Sequence, residues 1–230
     1  VAGFLLMGLA LAGVVSSLGI TRVRPANLEA RFRLNFVSDI FRTVAIARKD
    51  RVLWLAVAGS IYFWFLGLLM QTNILFFGKN VLGVPEARIG YLLAALAAGI
   101  GLGSYVAGIV SGRKIEYGLI PLGSIGISIF LFTLALPGRT FGSAAGLLAA
   151  LGFSAGFFIV PLNALLQQRP APEVKGSVIA MANLMTFVGM LVATGFYWVL
   201  SSSLHLTPLQ IFLVSSLLTV IATVYVCWLQ

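Results

Sequence analysis

Apolar residues run along the chain in blocks of membrane-crossing length separated by short polar segments, at about 1–20, 52–77, 89–111, 117–136, 141–166, 175–200 and 209–229. A helix crosses the hydrocarbon core with about 20 such residues, so the pattern predicts seven transmembrane helices. Pro85, Pro137, Pro170, Pro172 and Pro208 fall between blocks, where a missing N–H and a fixed φ cost least, and they mark the same boundaries independently of hydropathy. Runs such as Leu92 to Ile100 do not alternate apolar with polar, which sets aside a transmembrane β-barrel. The predicted class is all-α, a polytopic transmembrane helical bundle.

Composition agrees: 60% of the 230 residues are apolar and 9% charged, against about 25% charged in soluble domains. A net charge of +9 would point to nucleic acid in a soluble protein. Here the basic residues sit between apolar blocks, where they report orientation, and anionic lipid headgroups are the expected counter-charge. Membrane lipids are thus expected partners and nucleic acid is not. The first loop holds Arg22, Arg24, Arg31, Arg33, Arg42, Arg48, Lys49 and Arg51, the third Arg113 and Lys114, and the fifth Arg169 and Lys175. The other loops hold only Lys79, Arg88 and Arg139. Twelve against three predicts that the first, third and fifth loops are cytoplasmic, with Val1 outside and the C-terminus inside. Val1 lies inside an apolar run with no initiator Met and no basic stretch before it, so it is read as neither a native start nor a signal peptide, and further residues are expected before it.

The segment 21–51 is the only long connection and reads as a hinge between one helix (1–20) and a six-helix unit (52–230). Within it Leu34, Val37, Phe41 and Val44 recur at three- and four-residue spacing while Arg42, Arg48 and Lys49 lie elsewhere around the helix. That spacing predicts an amphipathic helix on the inner leaflet.

Candidate chemistry is sparse. Glu29, Asp39, Asp50, Glu86, Glu116 and Glu173 all fall in loops or at span ends, so no span offers the intramembrane carboxylate of a proton relay. One histidine, His205, and one cysteine, Cys227, assemble neither a catalytic triad nor a metal site. Enzyme chemistry within the segment, a metal and a cofactor are therefore not expected. Small residues form two stripes suited to close helix packing: Ala95, Gly99, Gly103 and Ala107, and Gly142, Gly146, Ala150 and Ser154. Polar residues that stand out inside spans are Tyr62, Gln71 and Asn73, then Asn163 and Gln167, then Asn183 and Thr186. Asn163 and Gln167 share a face, and Pro161 beside them removes the hydrogen bond to the Phe157 carbonyl. A kink lined with amides suits a cavity wall, since broken helix in a membrane is tolerated only against protein or water. Ordinary interhelical hydrogen bonding is the alternative for the same residues.

The connection from Gly108 through Gly112, Arg113, Lys114 and Glu116 to Gly118 resembles the short glycine and basic loop that major-facilitator transporters repeat in both halves. In that resemblance Gly112 replaces the usual acidic residue before the arginine, leaving Glu116 as charge partner of a cytoplasmic gating loop. A long loop followed by six closely connected helices resembles the sixth to twelfth helices of such a transporter, its C-terminal half plus the preceding helix. The stretch Val160 to Arg169, with Pro161-Leu162-Asn163-Ala164-Leu165-Leu166-Gln167, followed by Gly176 to Asn183, is similar to the lysophospholipid transporter family. The runs Ser111 to Gly123 and Ser215 to Leu229 resemble members fused to an acyltransferase and an acyl-carrier-protein ligase. The resemblance implies a transporter of the bacterial inner membrane that moves lysophospholipid by alternating access, an N-terminal half supplied elsewhere, and a fused or associated acyltransferase. An exporter of small apolar compounds shares the architecture, and a seven-helix receptor shares the span count.

Overall fold

The computed structural model describes residues 2–19, 36–112 and 114–229 of the protein, which form eight α-helices and one π-helical turn. Leu34, Arg113 and the basic residues of 20–35 lie outside the described residues, as do the side chains of Val37 and Cys227. The helices are α1 (Ala2–Leu18), α2 (Phe36–Lys49), α3 (Arg51–Asn80), α4 (Glu86–Ser111), α5 (Leu119–Ala135), α6 (Phe141–Gln168), α7 (Pro172–Trp198), extended by the π-turn Val199–Ser203, and α8 (Pro208–Leu229). Helix α1 belongs to one compact unit and α2 to α8 to a second. Each predicted span coincides with a helix, and α2 stands where the amphipathic segment was expected. Four helices are long and apolar enough to cross a membrane on their own length, α3, α4, α6 and α7 with its π-turn. The 17 residues of α5 reach about 26 Å, at the short end of what spans the hydrocarbon core.

Local signals fix the helix ends. Asp50 caps α3 by accepting from the N–H groups of Val52 and Leu53, and Thr140 and Ser143 form a reciprocal capping box at α6, satisfying N–H groups that a helix start leaves unpaired. Gly112 ends α4 at φ 53° and ψ −117°, a conformation open only to glycine.

Contacts between named residues give every helix from α3 to α8 a direction. Gly59 meets Leu162 and Phe63 stacks on Phe158, so α3 and α6 are antiparallel. Gly99 and Gly103 lie on the backbone of Ala149 and Phe153, so α4 runs parallel to α6. Gly123 and Gly126 pack along α6 in the reverse sense, against Phe158 and Ser154. Ile61 meets Gly189 and Phe76 stacks on Tyr197, making α3 and α7 parallel. Tyr62 pairs with Thr219 and Asn73 with Pro208, making α8 antiparallel to α3. From α3 to α8 the chain therefore alternates direction, as a multi-pass protein must.

Packing arranges these six helices in two layers. A row runs α4, α6, α3, α7, and α5 and α8 stand behind its middle pair, touching each other, α6 and α3. Exchanging α3 with α6, α4 with α7 and α5 with α8 maps this list of packed pairs onto itself, as two three-helix units related by a twofold require. The amphipathic α2 packs against α7 and α3. Its covered face is Thr43 and Ala47, flanked by Ile40 and Val44, and Phe41 is 71% exposed. Phe41 stays outside this covered face, because tertiary contact selects which side of α2 meets α3 and α7.

The small-residue stripes fare unequally. Gly99, Gly103 and Ala107 are buried, and a Cβ at either glycine would run into the α6 backbone. On α6, however, the partners are Gly152 and Gly156, which meet α4 backbone at Leu96, Ile100, Gly103 and Ser104. Gly142 and Gly146 have open space around them, and Ser154 packs against α5 instead. The four-residue spacing was right and its phase on α6 was wrong.

Candidate functional site

The seven polar residues singled out within the spans separate into two groups. Three make hydrogen bonds inside the bundle. The Tyr62 hydroxyl lies 2.7 Å from that of Thr219, the Asn73 amide nitrogen donates to the Pro208 carbonyl at 3.0 Å, and the Thr186 hydroxyl donates to the Asn183 carbonyl at 2.6 Å. Asn73 is fully buried and its Oδ1 has no partner.

The other four, Gln71, Asn163, Gln167 and Asn183, are exposed, and their side chains make no hydrogen bond among the described residues. All four lie on helices of the row. Stepping from the contacts of Gly59 with Leu162 and of Ile61 with Gly189, at 1.5 Å per residue, brings Asn163, Gln167 and Asn183 to within about 6 Å of one level along the bundle axis. Gln71 lies roughly 20–25 Å further along α3, toward the opposite end. The parallel register of α4 on α6 puts Asn163 and Gln167 just beyond the level where α4 ends at Ser111 and Gly112. Helix α6 runs unbroken through Pro161, so the amides are displayed on a continuous helix.

At this same end α3 begins and α6 finishes, and an ion pair joins them: Arg169 Nε donates to Asp50 Oδ2 at 2.7 Å. The guanidinium bond is the largest influence holding the Asp50 carboxyl below its ordinary value, and the pairing raises Arg169 in turn. The glycine and basic connection lies here too. Gly112 N–H donates to the carbonyls of Gly108 and Ile109, and its φ of 53° with ψ −117° accounts for a glycine at this position. Lys114 and Glu116 are exposed, and Glu116 has no ion-pair partner among the described residues. Sequence reasoning missed the Asp50–Arg169 pair, although Asp50 immediately before an apolar run is a helix-start signal.

The two layers present different surfaces. Outward residues of α5 and α8 are apolar, as with Leu122, Ile125, Ile129, Phe132, Leu217 and Ile221. The row instead exposes its amides together with aromatic rings, Trp64, Tyr91, Tyr105 and Phe187. An unpaired amide against hydrocarbon costs several kcal/mol on the order of the transfer scales, so this part of the row suits protein or water and the back layer suits lipid. The family model that matches residues 1–194 is that of the Major Facilitator Superfamily.

The chain belongs to the major facilitator superfamily.

Among curated relatives, a lysophospholipid transporter LplT of Klebsiella pneumoniae subsp. pneumoniae is 33% identical over 193 residues, covering 80% of this chain and 47% of the relative. One from Pectobacterium carotovorum subsp. carotovorum is 35% identical over 167 residues, 71% of this chain and 40% of the relative. One from Yersinia pestis is 31% identical over 193 residues, 80% and 46%. The chain thus spans less than half the length of these relatives. No solved structure matches it at a significant level. Within a major-facilitator chain the described helices constitute a multi-pass membrane segment, and the row of four is the layer that carries its uncovered amides.

Proposed function

We propose that this chain is the C-terminal part of a lysophospholipid transporter of the bacterial inner membrane, working by alternating access with a second helical half. Its relatives' names supply the substrate class. The observation that carries the reading is the cluster of uncovered amides, Asn163, Gln167 and Asn183, at one level of a row whose other layer is mainly apolar on its outer side. A single-chain lipid can leave its tail in hydrocarbon while the headgroup crosses, so a neutral polar track open sideways is sufficient, and no buried charge is required. Gln71 would serve the far end of the same track, while Tyr62, Asn73 and Thr186 act as packing residues. The basic loops set the end bearing Asp50 and Arg169 toward the cytoplasm, with Val1 outside. There Gly108, Gly112, Arg113, Lys114 and Glu116 form the gating connection, and a fused or associated acyltransferase would receive the cargo. The test is lysophosphatidylethanolamine flux into proteoliposomes holding the full-length protein, run beside a panel of small apolar compounds. Lysolipid transport without efflux of the panel is expected, and the reverse pattern would refute the assignment.

A further inference from the structure

At the end where α3 begins, a slot of about 390 Å³ opens between α3, α5 and α6. It lies between the two layers, on the side of α6 away from α4, and so is separate from the amide track. Leu55, Ile120, Phe158 and Leu162 are among its apolar walls, and Arg51 and Tyr117 also line it. Its volume is at the small end of ligand-binding cavities. Arg51, in the first turn of α3, is exposed and has no ion-pair partner among the described residues. The neighbouring Arg169 is already engaged by Asp50. Glu116, one residue before Tyr117, is exposed and does not line the slot. At this end of the bundle the cations Arg48, Lys49, Arg51, Lys114, Arg169 and Lys175 outnumber the carboxylates Asp50, Glu116 and Glu173 among the described residues, and of these Arg51 lines the slot.

We infer that this slot holds a resident anionic phospholipid, one acyl chain lying between α3, α5 and α6 and its phosphate meeting Arg51 and the Tyr117 hydroxyl. Basic pockets between helix ends at a membrane surface recognise anionic headgroups in this way. The apolar walls select a chain-bearing ligand over free phosphate, which would satisfy Arg51 and leave the rest of the slot unfilled. The lipid is a structural partner, not cargo, and the inference does not rest on what the protein transports.

The test uses the delipidated full-length protein in detergent, with retained lipid counted by native mass spectrometry and the unfolding midpoint followed during titration. Phosphatidylglycerol is expected to bind at least tenfold more tightly than phosphatidylcholine and to raise the midpoint. Arg51→Gln should abolish that preference, and Leu55→Trp, which fills the slot, should abolish retention. In the wild type, photoreactive phosphatidylglycerol should label peptides containing Tyr117 to Ile120 and Phe158 to Leu165, a result that stands even where a variant does not fold. Equal binding of the two lipids, an unaltered preference in Arg51→Gln, or labelling elsewhere overturns the inference. Equal stabilisation by inorganic phosphate alone overturns the lipid and leaves only an anion site.

Discussion

The guanidinium of Arg169 and the carboxylate of Asp50 meet at 2.7 Å, and Asp50 also caps α3, so one side chain ties the start of α3 to the end of α6.

Removing Asp50 should show both roles. Asp50→Ala loses the cap, about 0.5–2 kcal/mol, and an ion pair that is exposed and therefore contributes little. Asp50→Asn keeps a capping oxygen and loses chiefly the ion pair, so its loss should be smaller. Because the Asp50 carboxyl is held below its ordinary value in the folded protein, its contribution is complete above the unfolded carboxyl's value and disappears as pH falls through the lower folded one. Unfolding midpoints of wild type and Asp50→Asn, measured from neutral to strongly acidic pH, should converge at the acid end. A constant difference would show that the charge is irrelevant.

Close backbone approach makes a second expectation specific to position. Gly103→Ala and Gly156→Ala each place a Cβ against backbone of the facing helix and should destabilise by about 1–3 kcal/mol, the usual cost of overpacking. Gly142→Ala and Gly146→Ala, in open space, should stay within about 0.5 kcal/mol of wild type. Thermal unfolding in one detergent distinguishes the sets, and equal losses in both would contradict the packing described.

These glycines also show where sequence stops being informative. The order and approximate bounds of the apolar helices follow from transfer energetics and proline punctuation, which are local, and were legible. Which face of α6 meets α4, and which face of α2 meets α3 and α7, is decided by contacts far apart in sequence. Spacing therefore identified Gly99 and Gly103 correctly and chose Gly142 and Gly146 where Gly152 and Gly156 make the contact. The candidate site divides likewise: hydropathy singled out seven polar residues, and only packing separated Tyr62, Asn73 and Thr186 from the uncovered amides. The Arg51 slot had no sequence signal, since its walls come from three helices.

The satisfied polar residues should behave as packing groups. Tyr62→Phe and Thr219→Val each remove one interhelical hydrogen bond, worth about 0.6 kcal/mol on average in a membrane bundle. The double variant should lose less than the sum, because both singles break the same bond. Strict additivity in a double-mutant cycle would mean that the Tyr62–Thr219 bond contributes nothing.

The uncovered amides should instead affect transport. Neither Asn163 nor Asn183 has a side-chain partner to lose, so replacing either with the similarly sized leucine removes no interhelical bond, and the folded, inserted fraction of the full-length protein should not fall. A headgroup passing between the halves would lose one neutral hydrogen bond at each substitution, about 1 kcal/mol, or about fivefold in flux. Asn163→Leu and Asn183→Leu should therefore each lower lysolipid flux several-fold, and since the two residues lie at one level on different helices, the double variant should lose more than either single. Gln71→Leu, far along α3 from this cluster, tests the length of the track: a comparable loss extends it to the opposite end, and a normal rate confines it to the α6 and α7 end. Unchanged flux in well-folded Asn163→Leu and Asn183→Leu would show that neither amide serves the headgroup path, since each variant removes the one polar group its side chain offers.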